Sequence, residues 1–281
     1  MRLLRHKNKM MLGFALMVGA MLSEAANASC YSLPETKLLS SAAAPGELRE
    51  IIFLVDQTVA LPQPVRDHIA GQIERLAVDG TRISFASFSA FTATSFPTVP
   101  TGYYFETNIQ RAKESSVSIR ALKSLRTCLA QSRTAGIKAS KDRLASILSG
   151  NKPTASQSDI MSSLNQFGAH LRSLRAPDKI IVLVSDMLEN SSTTSFYTKG
   201  GLKDIDMRTE LQKAANARLL ADFAGAKVYV IGAGLFPDSV GAGTRADNKM
   251  QALENFWANY FMNSRAKLIA FGRPLLLQPI R

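Results

Sequence analysis

Three short polar clusters in this chain have the residue types for chemistry. Asp56-Gln57-Thr58 follows an apolar run. Ser158-Asp159 precedes an amphipathic stretch. Ser185-Asp186 ends a second apolar run. Asp56 and Asp186 with the hydroxyls of Thr58 and Ser158 would make a hard, oxygen-rich site if they met. Such a set suits Mg²⁺, which takes few protein ligands and keeps several waters. The chemistry of zinc is not indicated: Cys30 and Cys128 lack ligand spacing, and His68 and His170 lie in helical patterns with no motif around them. A plainer role exists for both aspartates, since strand-end Asp side chains often accept bonds from nearby backbone N–H groups.

Enzyme classes that could use the same carboxylates leave further signatures. A phosphatase with an aspartyl nucleophile wants Asp-x-Asp, and Thr58 stands where the second Asp belongs. A dinucleotide enzyme wants Gly-x-Gly-x-x-Gly opening a helix. Gly232-Ala233-Gly234 is followed by Leu-Phe-Pro-Asp and lacks the third glycine. The Gly-x-Ser-x-Gly elbow of serine hydrolases is missing. A non-catalytic binding domain is the expectation, with a metal-dependent hydrolase or phosphatase on the same carboxylate rim as the alternative.

These clusters need elements to position them. Glu50 to Val55, Ile180 to Val184 and Lys227 to Ile231 are short, β-branched runs of the kind that form buried parallel strands. Arg82 to Phe88 predicts a second strand, Ala90 to Phe96 an edge strand, and Lys267 to Phe271 a final one. Helices are predicted from Pro62 to Ala77, Val117 to Ser132, Lys138 to Leu148, Asp159 to Leu174, Met207 to Phe223 and Asn248 to Asn263. Trp257 and Phe256 on the last of these read as core. A polar loop is predicted from Glu189 to Lys203, where Asn190-Ser191-Ser192 matches the glycosylation pattern, a frequent chance match. Strands alternating with helices imply a doubly wound, mostly parallel α/β sheet with helices on both faces. Ligands in such sheets bind beyond the carboxyl ends of the strands.

The first 28 residues follow the export pattern. Arg2, Arg5, Lys7 and Lys9 precede the apolar stretch Met10 to Leu22, and Ala26-Asn27-Ala28 predicts cleavage before Ser29. An uncleaved anchor is the alternative. Cys30 raises a lipoprotein reading, but Asn27 stands where a lipobox has Leu. The location expected is periplasmic or secreted, with no membrane span after cleavage. An oxidising compartment and two cysteines suggest a Cys30–Cys128 disulfide, with two buried thiols as the alternative.

The formal charge of +12 is concentrated. Residues 111–152 carry +8 and contain Arg120, Lys123, Arg126, Arg133, Lys138, Lys141 and Arg143. This basic helical insertion offers a surface to an anionic partner, such as an acidic protein or a charged surface. The segment has no aromatic residue on which bases could stack, so nucleic acid is disfavoured. The plainer reading is two solvated helices, packed by Ile119, Leu122, Leu125, Leu129, Leu144 and Leu148.

Several of these motifs together resemble the von Willebrand factor A (vWA) domain, in an exported bacterial form. Ile51-Ile-Phe-Leu-Val-Asp56-Gln-Thr58-Val-Ala60 is similar to that family's first strand and its Asp-x-Ser-x-Ser loop. Ser158-Asp159-Ile160 resembles its Thr-Asp-Ile loop. Ile180 to Asp186 resembles the strand ending in its second metal-site Asp, and Val228 to Gly234 the next core strand. Glu254-Asn-Phe-Trp257 to Phe271-Gly-Arg-Pro-Leu275 is similar to the end of exported bacterial members. The resemblance implies a domain over residues 48–272, after a lead-in at 29–47 and before a tail at 273–281. It implies Asp56, Thr58, Ser158 and Asp186 as Mg²⁺ ligands, with a partner protein's carboxylate taking the ion's open position. Three departures stand out: Ala60 removes a hydroxyl ligand, Ser158 replaces Thr, and Met187 follows Asp186 where Gly is common.

Overall fold

The computed structural model describes residues 29–37, 39, 46–89, 100–150, 158–198, 201–235 and 247–281. The expected export signal at 1–28 and the expected strand at 90–96 lie outside these. Among the described residues, no helix is long and apolar enough to cross a membrane.

The core is a six-stranded sheet in the order β3-β2-β1-β4-β7-β8. Its strands are β1 (Arg49–Asp56), β2 (Thr81–Phe88), β3 (Thr101–Phe105), β4 (Asp178–Val184), β7 (Lys227–Ile231) and β8 (Lys267–Phe271). All neighbours pair in parallel except β3, an antiparallel edge strand on β2. The chain builds outward from β1 to β3, then returns to place β4 on the other side of β1. This is the reversal point of a doubly wound sheet, where a crevice opens at the strands' carboxyl ends.

Side-chain alternation divides the core in two. Ile52, Leu54, Ile181 and Leu183 face one side, packing with helices α3 (Ile160–Ser173) and α5 (Asp247–Asn263). Ile51, Phe53, Val55, Ile180, Val182 and Val184 face the other, against helices α1 (Gln63–Leu76) and α2 (Ile119–Ser149). With both faces covered, the central strands must be apolar throughout, which explains their continuous runs. Leu276 and Ile280, from the expected tail, are buried in the second cluster.

The basic section differs from expectation. One helix, α2, runs 31 residues from Ile119 to Ser149, rather than two helices with a break. The stretch Arg133 to Ile137 contains no proline, and Ala and Arg favour helix. Gly136 is required there, because a Cβ would lie 2.4 Å from the Tyr103 ring on β3. Ser118 caps the helix, its hydroxyl accepting the Ala121 N–H at 3.2 Å. Leu125, Leu144 and Leu148 are buried as expected, but Ile119 is 87% exposed and does not pack. A shorter helix, α4 (Met207–Asn216), replaces the one expected to reach Phe223; it ends before Arg218, whose φ is +57°. The polar loop contains a two-stranded ribbon, β5 (Tyr197–Thr198) and β6 (Gly201–Leu202).

The lead-in is stapled to α2 by a Cys30–Cys128 disulfide. Cys30, Leu39, Ile109, Ala121 and Leu125 form a small third cluster around it. The sulfur of Cys30 is therefore not free to carry the thioether of a lipoprotein.

Glu50, near the start of β1, is 5% exposed and accepts the Ser84 hydroxyl at 3.0 Å. Burial, and then its bond with Glu47, push its carboxyl up from 4.5 to about 7. The stability it supports is complete below the unfolded value of 4.5 and is lost as pH rises through 7. Glu50→Gln should therefore reduce the fall in Tm between pH 5 and pH 8 by a few degrees. An unchanged pH profile in thermal melts would contradict this.

Candidate functional site

Asp56 and Asp186 end the adjacent strands β1 and β4 at the reversal point. The β1–β4 register runs Val55 opposite Val184, so Asp56 comes opposite Ser185 and Asp186 lies one residue beyond. Asp56 is fully buried and its carboxylate is ringed by donors. Its Oδ1 accepts the Thr58 N–H at 2.9 Å and the Thr58 hydroxyl at 2.6 Å. Its Oδ2 accepts the Ser185 hydroxyl at 2.8 Å and the Ser158 hydroxyl at 3.3 Å. Asp186 has fewer partners. Its Oδ1 accepts the Leu188 N–H at 2.9 Å, and its Oδ2 the Tyr197 hydroxyl at 3.4 Å.

The structure joins Asp56, Thr58 and Ser158 in one hydrogen-bonded group, and places Asp186 near enough to Asp56 for their charges to interact. Thr58 and Ser158 lie 3.3 Å apart between their hydroxyl oxygens. Ala60 is exposed and contributes no oxygen. Ser185 and Tyr197 belong to the cluster but were not among the expected residues. A hydroxyl beside a strand-end Asp was a signal for Ser185. Tyr197 reaches Asp186 from the β5 ribbon, which no local pattern in the sequence announces.

Among the described residues neither carboxylate has an ion-pair partner. Burial raises both pKa values. Asp186 is pushed up to about 8, first by burial and then by the charge of Asp56. Asp56 is raised by burial, against the opposing pull of its hydroxyl donors. Two buried carboxylates that repel each other are relieved by a shared proton or by a cation. Hydroxyl groups rotate, so Thr58 and Ser158 can donate to Asp56 in one state and turn lone pairs outward in another. Two carboxylates with two adaptable hydroxyls have the donor chemistry of a hard-ion site, but among the described residues no group of three or more His, Cys, Asp or Glu side chains gathers where it could hold a metal ion.

The loop geometry behind Asp186 is tightly held. Met187 has φ +66°, a left-handed conformation that disfavours side chains other than Gly. Its N–H donates to Ser185 Oγ at 3.0 Å, and its carbonyl accepts the Trp257 indole N–H at 2.8 Å. Glu189 lies below the loop, fully buried, and accepts the Met161 N–H at 3.0 Å near the start of α3. Burial pushes its carboxyl up to about 8. Backbone bonds between Ser158 and Asn190 in both directions join the Ser158 loop to the same segment.

The basic residues of α2 are largely answered within the chain. Arg120 pairs with Glu35, Arg126 with Glu114, Arg133 with Asp79, Lys138 with Asp142 and Lys141 with Glu74. Lys123 and Arg143 have no ion pair among the described residues. The +8 of the segment is therefore partly offset by acids from elsewhere in the fold, which charge counting along the sequence misses.

No family model matches the chain, and no curated protein matches it. Solved structures share a loose likeness in α/β architecture. An aerotolerance-related membrane protein from Bacteroides fragilis NCTC 9343 is 12% identical, with 79% of this chain and 89% of that one covered and a TM-score of 0.34. The PilB minor pilin from Streptococcus sanguinis is 12% identical, with 80% and 57% covered and a TM-score of 0.37. The pilus adhesin SpaC from Lactobacillus rhamnosus GG is 12% identical, with 78% and 31% covered and a TM-score of 0.36. The chain thus spans little more than half of the pilin and under a third of the adhesin.

Proposed function

We propose that this chain is an exported, non-catalytic vWA-like binding domain, with Asp56, Thr58, Ser158 and Asp186 as ligands of a weakly held Mg²⁺. The observation that carries the reading is the pair of buried, mutually repelling carboxylates at the sheet's reversal point, with hydroxyls around them and, among the described residues, no cationic side chain paired with either. Bound Mg²⁺ would supply a Lewis-acidic open position to a carboxylate on a partner protein. Asp56 and Asp186 would provide the charge that holds the ion. Thr58 and Ser158 would provide neutral oxygens that fix its place, and Ser185 would hold Asp56 in position from behind. The exposed Ala60 leaves one ligand position to water, which weakens the site without removing it.

The reading is tested by thermal melting with Mg²⁺ or with chelator. A ligand that binds only the native state stabilises it by RT ln(1 + [L]/Kd), about 2.7 kcal/mol at one hundred times Kd. Saturating Mg²⁺ should therefore raise Tm by roughly 5–10 °C. Asp56→Asn and Asp186→Asn should abolish the rise. Neither Mg²⁺ nor Mn²⁺ shifting the wild type would sink the metal assignment. Turnover of phosphate esters that is lost in Asp56→Asn would replace the binding role with a hydrolytic one. Capture of a partner by the wild type with Mg²⁺, but not by Asp186→Ala, would support the binding role directly.

A further inference from the structure

One carboxylate holds the start of the described chain. Glu106 directly follows β3, and both of its oxygens turn to the same two residues. Oε1 accepts the Ser29 hydroxyl and Oε2 accepts the Cys30 N–H at 2.8 Å. Ser29 Oγ in turn accepts the Tyr31 N–H at 3.2 Å. The next residues are fixed as well. Cys30 is bonded to Cys128, Tyr31 donates its hydroxyl to the Thr107 carbonyl at 2.8 Å, and Thr36 donates to the Cys30 carbonyl at 2.5 Å. A hydroxyl and a single amide are neutral donors. The acceptor chosen for them is an anion, which would be better satisfied by a positive charge.

Ser29 is also the residue that the Ala26-Asn27-Ala28 pattern places first after cleavage. Hydrolysis of the Ala28–Ser29 amide by a signal peptidase adds one water. Ala28 leaves with the new carboxylate and Ser29 keeps the nitrogen, which takes a proton. That nitrogen is three covalent bonds from the Ser29 oxygen already on Glu106. The geometry points to Glu106 as the receptor for the mature N-terminal ammonium of Ser29, a clamp completed only once the export signal is removed. It does not depend on the Asp56–Asp186 site.

An opposing charge raises the pKa of an ammonium above the ordinary α-amino value of about 7.7–8.0. The clamp's contribution is therefore complete below about 7.7 and is lost as pH rises through the raised value. Other titratable groups near Glu106 do not interfere. Tyr31 is pushed up to about 12 by burial, then by the charges of Glu106 and Asp79. Burial also raises Tyr104, and Asp79 lies 4.0 Å from Arg133. Both phenols stay protonated through pH 9.

The full chain, exported with its own signal, is the material for the test. Its first residue should be Ser29 by N-terminal mass analysis. A second form carries Gly-Ser inserted after Ala28, so that cleavage leaves the ammonium two residues further out. At pH 7 the native form should melt about 2–4 °C above the extended one. The difference should shrink as pH rises from 7 to 9 and should be absent at every pH in Glu106→Gln. NMR titration of the wild-type α-amino group, which needs no variant to fold, should place it above the ordinary range. A different mature terminus, equal melting of the two forms, a difference that survives Glu106→Gln or an ordinary α-amino titration would each overturn the assignment.

Discussion

Trp257→Ala is expected to destabilise the protein by about 3–5 kcal/mol, the range for deleting a buried aromatic. Trp257 is fully buried on α5 and contacts the rings of Phe196, Phe256, Tyr260 and Phe261. Alanine would leave a cavity that these fixed rings cannot all move to fill. It would also strip the Met187 carbonyl of its partner, the indole N–H at 2.8 Å. An unpaired buried acceptor costs about 1–3 kcal/mol. That carbonyl belongs to the left-handed residue directly after Asp186, so the loss should loosen the carboxylate rim as well as the core. The expected fall in Tm is roughly 6–20 °C. Circular dichroism must report it, because Trp257 is the chain's single tryptophan. Trp257→Phe separates the contributions, since it keeps most of the apolar volume and loses only the donor. If Trp257→Phe is as stable as the wild type and shifts equally with Mg²⁺, the indole bond has no part in holding the rim.

Removing the disulfide should cost a similar amount. The Cys30–Cys128 bridge closes a loop with a sequence separation of 98. In the chain-entropy account, a loop of that length stabilises by about 4–5 kcal/mol, by restricting the unfolded chain. The folded side offers little compensation, because the third cluster is small, with five buried residues among those described. The Cys30→Ala/Cys128→Ala double variant should therefore lose roughly 10 °C or more in Tm. Wild type melted under reductant should match it. The helix charges that pair across this junction, Arg120 with Glu35, are exposed and should not rescue it. A loss under about 1 kcal/mol would mean that the lead-in docks by packing alone.

Much of the sheet was legible in sequence. Ile51 to Val55, Ile180 to Val184 and Val228 to Ile231 are apolar on consecutive positions, and only a strand covered on both faces tolerates that. Their carboxyl ends carry Asp56 and Asp186, so the location of the candidate rim followed from strand order. Less was legible in α2, where two helices were expected, one ending at Ser132 and the next starting at Lys138, and Gly136 lies between them. Tyr103, on a strand that sequence did not place at 101–105, gives that glycine its reason. Ile119 matched the helical apolar spacing yet faces outward, because periodicity marks a face without saying whether anything covers it.

By itself the sequence determined the α/β alternation, the pair of cysteines able to bond and the two carboxylates at strand ends, since each depends on local residue type or short-range period. Only the tertiary structure decided what surrounds those carboxylates. Ser185 meets Asp56 through strand register. Tyr197 reaches Asp186 from a ribbon, and Trp257 supports Met187 across 70 positions of chain. Three of the acids that answer the basic helix, Glu35, Glu74 and Asp79, also come from distant segments. These contacts join residues from 11 to 129 positions apart, set by how two packed faces and a disulfide close the chain, and no helix or strand period encodes them.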